Sequence, residues 1–171
     1  MNTKSSLIQT LHLLSHPEGG FYRESYRSQE TCSTKRGARS VSTGIYFLLG
    51  AEDRSRFHVI QSDEMWHHYE GATLEIHEIT LEGIYKITLL GKNLSQGQVP
   101  QYTVPKGHIF GSRISSLTAS NSSTEAYALV GCTVAPGFDF EDFHLFSNQA
   151  LIDQFPHLRS SILSFYEPTP S

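Results

Sequence analysis

Between residues 16 and 148 the chain is cut into about nine short runs of strand-like character, each bounded by glycine, proline or small polar residues. Strands this short and this numerous hide their apolar sides only by stacking sheet on sheet or closing into a barrel. Ser42 to Leu49 is apolar on both faces in its later half, which suits a strand buried on both sides. Arg56 to Ile60 and Glu64 to Glu70 follow, separated by a polar turn. Leu74 to Leu81 and Ile84 to Leu90 flank Glu82-Gly83 as a hairpin. Gln101 to Val104 runs into the turn Pro105-Lys106-Gly107, and Tyr127 to Val134 ends at Ala135-Pro136-Gly137. Phe138 to Phe146 begins by alternating Phe138 and Phe140 with Asp139 and Glu141, an extended pattern. No internal repeat and no linker interrupts the series.

Helical spacing is confined to the ends. Leu7, Ile8, Leu11 and Leu14 form one apolar stripe, and His16-Pro17-Glu18-Gly19-Gly20 ends it, because Pro17 cannot continue a helix and the glycines admit positive φ. Ser147 is a candidate N-cap for a closing helix whose positions Leu151, Phe155, Leu158 and Ile162 are interrupted by Pro156, so two short pieces are expected. The expectation is a single domain over 1–171, with an all-β core at about 16–148 and terminal helices at about 3–15 and 148–165. Cys32 to Ser40 and Ser115 to Thr124 lack periodicity and read as surface loops. In Phe21 to Arg27, strict alternation puts Arg23 and Arg27 on one face, more simply a solvated face than an anion site.

A chain of 171 residues with 38% hydrophobic content is long enough for one buried core. Its formal net charge of -4 removes the electrostatic reason to expect nucleic acid or an anionic membrane as partner. The broken apolar run near the start is neither a signal peptide nor a span, and Cys32 and Cys132 are too few and too far apart for a disulfide framework. A cytoplasmic setting is the resulting expectation.

Chemistry concentrates between His58 and Gly71, which holds three histidines, Asp63, Glu64, Glu70 and the only tryptophan, Trp66. A strand, turn and strand with His58 before the turn and Glu64 after it brings an imidazole and a carboxylate to neighbouring positions, as a ligand pair or an acid/base pair. Strand pleat then gives Glu64, Trp66 and His68 one face and Met65, His67 and Tyr69 the other. Trp66, beside Glu64, is read as lining a pocket, with core packing as the plain alternative.

The residues here resemble the cupin superfamily. Glu64 and Gly71 keep the spacing of its first motif and His58 falls at that motif's first histidine, while Ile60 stands at the second. In the second motif Pro105 and Gly107 are in place and Phe110 stands where a histidine would ligate. A closer resemblance covers the chain up to about Asn148. His16-Pro-Glu-Gly-Gly-Phe-Tyr-Arg-Glu, Ile45-Tyr-Phe-Leu-Leu, Ser62-Asp-Glu-Met-Trp-His, Val104-Pro-Lys-Gly and Val134-Ala-Pro-Gly-Phe-Asp-Phe look like the small cupins of unknown function grouped as Cupin 5. The resemblance implies a double-stranded β-helix, or jelly-roll barrel, related to metal-free sugar-nucleotide epimerases and commonly dimeric.

The leading expectation is therefore a cupin binding a small polar, sugar-like molecule and isomerising or epimerising it without a metal, with His58 and Glu64 as acid/base groups. Trp66, His68, Tyr46, Glu18 and Asp139 are the ligand-contacting candidates, against plain readings as core, sheet, turn or surface residues. No cofactor is expected. A divalent metal held by His58, Glu64 and His68, in an oxygenase or isomerase, is one alternative, and a non-catalytic ligand-binding or sensing domain is the other. A homodimer is expected, with Phe21 to Arg27 extending a neighbour's sheet.

Overall fold

Pleat parity separates the apolar side chains into layers, and the layers define the fold. In the computed structural model, which describes residues 2–115 and 126–167, one sheet is ordered β1 (Leu14–Ser15), β2 (Phe21–Arg27), β5 (Thr43–Gly50), β12 (Tyr127–Ala135), β7 (Asp63–Gly71) and β10 (Gln101–Val104). The second sheet is ordered β13 (His144–Leu145), β6 (Ser55–Val59), β11 (Ile109–Ile114), β8 (Leu74–Ile79) and β9 (Tyr85–Leu90). Every named pairing within them is antiparallel. From β5 to β13 the chain changes sheet at each connection except the β8–β9 hairpin, the winding of a jelly roll.

Phe47, Ile60, Trp66, Ile76, Phe110 and Val130 meet between the sheets. The opposite pleat faces outward: Leu48 and Leu129 are covered by Leu7 and Leu13 around helix α1 (Lys4–Thr10). Phe57, Ile79 and Ile109 are covered by Leu151 of α2 (Asn148–Gln154) and Ile162 and Phe165 of α3 (Arg159–Tyr166). Each of these helix side chains is fully buried, a contribution of about 2 kcal/mol apiece. The Phe57 and Phe165 rings lie 4.6 Å apart. Because Phe57 faces the helices, its neighbour His58 is turned to the interior.

Ser147 caps α2 by accepting the Ala150 N–H, and Pro156 divides the two C-terminal helices. The N-terminal helix is shorter than its sequence stripe. It stops at Thr10, His12 takes a φ of 52°, and Leu14 enters β1 with its side chain 68% exposed instead of joining the apolar face.

Cys32 to Ser40 is not a loop: β3 (Thr31–Thr34) and β4 (Gly37–Ser40) pair as a hairpin, with Gly37 at a φ of 106°. Its polar faces look outward, which is why no apolar period marked it. Phe138 to Phe146 is extended only at its ends, since residues 140–142 close a 3-10 turn capped by the Asp139 side chain. In β2 the register slips between Glu24 and Tyr26, so Arg23 and Arg27 do not share a face. Of the expected loop from Ser115, residues 116–124 lie outside the described residues.

Candidate functional site in the barrel cavity

The turn from His16 to Gly20 is pressed against the start of β6. Gly19 has a φ of 116°, and a Cβ there would stand 2.0 Å from the Arg54 carbonyl oxygen, so only glycine fits. Arg56 fastens the turn: its N–H donates to Glu18 O at 2.9 Å and its guanidinium to Pro17 O at 2.6 Å. The Glu18 side chain is thereby directed into the barrel, where Ser55 Oγ donates to Oε1 at 2.8 Å and His58 Nε2 lies 3.2 Å from Oε2. His16 Nδ1 accepts the Glu18 N–H at 3.3 Å.

His58 Nδ1 is 2.7 Å from the Arg56 carbonyl oxygen, which only accepts, so Nδ1 carries a proton. In a neutral imidazole Nε2 is then an acceptor, and its contact with Glu18 is satisfied by a proton on the carboxyl. Burial favours that distribution. It pushes the His58 pKa down, against the Glu64 carboxylate and the Arg56 carbonyl, and pushes the Glu18 pKa up, against the charge of His16 and the Ser55 hydrogen bond. His16 is held down by burial as well.

Glu64 reaches the same space from β7. Burial raises its pKa to about 7, with the His58 charge opposing, the Glu18 charge adding, and the Cys132 thiol favouring the ionised form through a hydrogen bond. Cys132 itself is pushed well up by burial and by Glu64, so it serves as a thiol donor rather than a thiolate. Three titratable groups, Glu18, His58 and Glu64, all less than 10% exposed, therefore share the floor of a cavity of about 600 Å³.

The walls above them are apolar, from Ile45, Phe47, Ile60 and Val134. Phe138, Phe140 and Phe143 line it from the segment after β12. This segment is tied down at both ends. Thr43 Oγ1 accepts the Phe138 N–H at 2.9 Å, while Arg36 and Arg39 of the β3–β4 hairpin grip Asp142 at 2.5 and 2.9 Å. Arg27 also lines the cavity, bound bidentately to Glu24 at 2.9 and 2.7 Å and to Phe138 O at 3.1 Å.

Of the residues singled out by sequence, His58, Glu64, Glu18 and Asp139 border this cavity. Three stand apart from its wall. Trp66 shares the pleat face of Glu64 but lies in the core between Phe47 and Phe110, with ring centroids at 5.8 and 6.3 Å, and is 1% exposed. His68 is farther along β7, with Nε2 on Ala72 O at 2.9 Å. Tyr46 is on the outer side of its sheet, beside Tyr69 and under the Arg23 guanidinium. Parity sets a side chain's face, whereas position along the strand decides whether it meets space or packed rings. His16, Cys132 and Glu24 carry no site signal in the sequence, apart from the place of His16 near Glu18 in the glycine-bearing turn, and Arg27, read there as a solvated-face residue, turns to the cavity.

The metal centre that cupin resemblance raises does not fit these side chains. Phe110 packs against His58 with centroids 4.2 Å apart and the rings tilted by 59°, so an apolar ring stands where a third ligand would be, and Ile60 is an apolar wall residue. His68 is too far along β7 to replace them, its Nε2 being bound to Ala72 O. Among the described residues no group of three or more His, Cys, Asp or Glu side chains is arranged to hold a metal ion.

Two antiparallel sheets wound as a jelly roll about an interior cavity with a polar floor make this a cupin. The chain belongs to the family described as Cupin superfamily (DUF985), whose model matches residues 5–146. It is similar to a hypothetical protein from Leishmania major at 35% identity and a TM-score of 0.88, covering 95% of this chain and 98% of that one. Protein SO0799 from Shewanella oneidensis is 40% identical with a TM-score of 0.85, covering 98% and 99%. The uncharacterized protein YML079W of Saccharomyces cerevisiae is 28% identical over an alignment of 164 residues that covers 89% of this chain and 78% of the yeast protein. Among the described residues no helix is long and apolar enough to cross a membrane.

Proposed function

We propose that this cupin binds a small polar molecule in its cavity and interconverts isomers of it by moving a proton, with His58 and Glu64 as the acid/base groups. The supporting observation is the 3.2 Å contact between His58 Nε2 and Glu18 Oε2 on a floor shared with Glu64, whose pKa lies at about 7. A group poised there is half-protonated at neutral pH and serves in either direction. The substrate has an acidic C–H beside an electron-withdrawing group such as a carbonyl. That C–H bond breaks, its proton passes to one enzyme group, and the electron pair delocalises onto the carbonyl. With Glu64 as the accepting group, the Glu18–His58 pair, which holds one proton between Oε2 and Nε2, returns a proton to carbon or to the adjacent position, and the proton on Glu64 then passes back to that pair to restore the starting protonation. Atoms and electrons balance without an oxidant or reductant. A sugar-like ring suits such a site, since its C–H face stacks on Phe138 and Phe143 while its polar edge meets the floor.

Solvent exchange tests this. Carbonyl-bearing sugars, amino sugars among them, are incubated with the protein in D2O and followed by NMR. Deuterium should enter the substrate carbon with the wild-type protein and not with His58→Asn or Glu64→Gln. A ligand that demonstrably occupies the cavity yet never gains deuterium would leave a binding or sensing domain instead.

We further propose that the protein acts as a homodimer. β1 pairs with only Phe21 and Tyr22, leaving the edge of β2 beyond them open to a second chain, beside the exposed Tyr26 and Leu14. Light scattering that returns the monomer mass at micromolar concentration would rule this out.

A further inference from the structure

The charges and rings around the cavity select among small molecules, provided that the cavity is a ligand site as proposed above. We infer that its ligand is a small organic cation, a protonated amine whose C–H surface packs on aromatic faces.

Carboxyl groups outnumber available cations. Glu18 and Glu64 are on the floor, and Glu24 and Asp139 line the cavity nearer the segment after β12. Arg27 is the cation directed there, and its charge is paired within the protein, Nε and Nη2 donating to Glu24 and Nη2 also to Phe138 O. Arg23 touches the cavity but lays its guanidinium over the Tyr46 ring on the outer side of the sheet, with 5.5 Å to the centroid. An anionic ligand would find Arg27 already paired with Glu24 and the Arg23 guanidinium turned to the outer side of the sheet, and the ionised form of Glu64 would repel it. Phosphorylated and carboxylated molecules are thereby disfavoured.

Positive charge meets the reverse situation. Glu64 is 93% buried by its 7% exposure, and its contact within the protein is the weak Cys132 thiol donor, so a carboxylate with several lone-pair sites still faces the cavity. An ammonium donates three hydrogen bonds and supplies the missing counter-charge. The rings of Tyr22, Phe47, Phe138, Phe140 and Phe143 present electron-rich faces and C–H contact to the rest of such a ligand, as cation-binding aromatic cages do. A neutral polyol would gain the ring contacts and lose the charge term.

Three molecules of one shape separate the cases: 3-phenylpropylamine, 3-phenylpropanol and 3-phenylpropanoate, cationic, neutral and anionic at pH 7.5. Calorimetry gives their affinities, and methyl NMR shows whether the Ile45, Ile60 and Val134 signals move. The amine should bind about tenfold or more tightly than the alcohol, and the acid most weakly. Glu64→Gln should remove that preference, weakening the amine about tenfold while leaving the alcohol nearly unchanged. Should this variant fail to fold, the wild-type protein carries the same comparison through pH, the advantage of the amine over the alcohol shrinking at pH 5, where Glu64 holds its proton, relative to pH 8. Equal or tighter binding of alcohol or acid, with the cavity methyls perturbed, would overturn the cation assignment and leave the ligand site standing. Failure of all three to perturb those methyls at millimolar concentration would overturn both.

Discussion

His58 on β6 and Glu18 in the glycine-bearing turn are separated by forty positions of chain, yet their Nε2 and Oε2 atoms lie 3.2 Å apart. The carboxyl group in direct contact with His58 is thus that of Glu18, with Glu64 acting on the imidazole through charge across the cavity floor.

That contact fixes the state of the imidazole. In the wild type His58 should be neutral at pH 7 with its proton on Nδ1, because the Arg56 carbonyl accepts there and burial lowers its pKa. Two-bond nitrogen–proton NMR reads the tautomer. Glu18→Gln should keep the same tautomer, since an amide N–H can still donate to Nε2. A proton found on Nε2 in the neutral wild-type ring would contradict this geometry.

Glu64 should make stability fall as pH rises. Its pKa in the folded state, about 7, is above the ordinary 4.5, so the native state holds the proton more tightly than the unfolded chain. This contribution is fully present below about pH 4.5 and is lost as pH rises to 7 and beyond, on the order of 3 kcal/mol in all. His16 and His58, with lowered pKa values, act oppositely near their ordinary value and mask part of the slope. The comparison is therefore differential. Urea unfolding at pH 5 and pH 8 should show wild type losing more stability, or gaining less, than Glu64→Gln over that interval.

Gly19→Ala should damage both fold and site. A φ of 116° is disfavoured for alanine, and the added Cβ would meet Arg54 O at 2.0 Å. A loss of about 2–4 kcal/mol in chemical denaturation is expected. In the folded fraction, His58 should lose its Glu18 partner, visible as a shifted imidazole resonance. An unchanged midpoint would mean that the turn is not held against β6.

Trp66 should report the core rather than the ligand. Buried to 1% exposure between Phe47 and Phe110, it should emit at short wavelength and resist quenching by iodide. Strong iodide quenching in the folded protein would place its indole at the cavity instead.

Much of this protein was determined by its sequence alone, where the governing physics is local. Period-two patterning and turn residues set the strands from Ser42 to Val134 except Ile109–Ile114, which the sequence left unmarked. Ser147 and Pro156 set the start and division of the C-terminal helices, and the pleat through Glu64, Trp66 and His68 put all three inside. Ser25 shows where local reasoning ends: the register slip beside it turns Arg27 to the cavity, although strict alternation pairs it with Arg23. The hairpin from Thr31 to Ser40 was silent because neither of its faces is a core face. Only tertiary structure decided the site. His58 points inward because Phe57 is claimed by Phe165, and Glu18 reaches it because Gly19 lets the turn lie against Arg54. Trp66 is enclosed by rings from two other strands, while Glu64, two residues earlier on the same face, meets open space. Pleat and turn preferences act over a few residues, whereas the distance between two side chains far apart in the chain depends on how every intervening strand pairs.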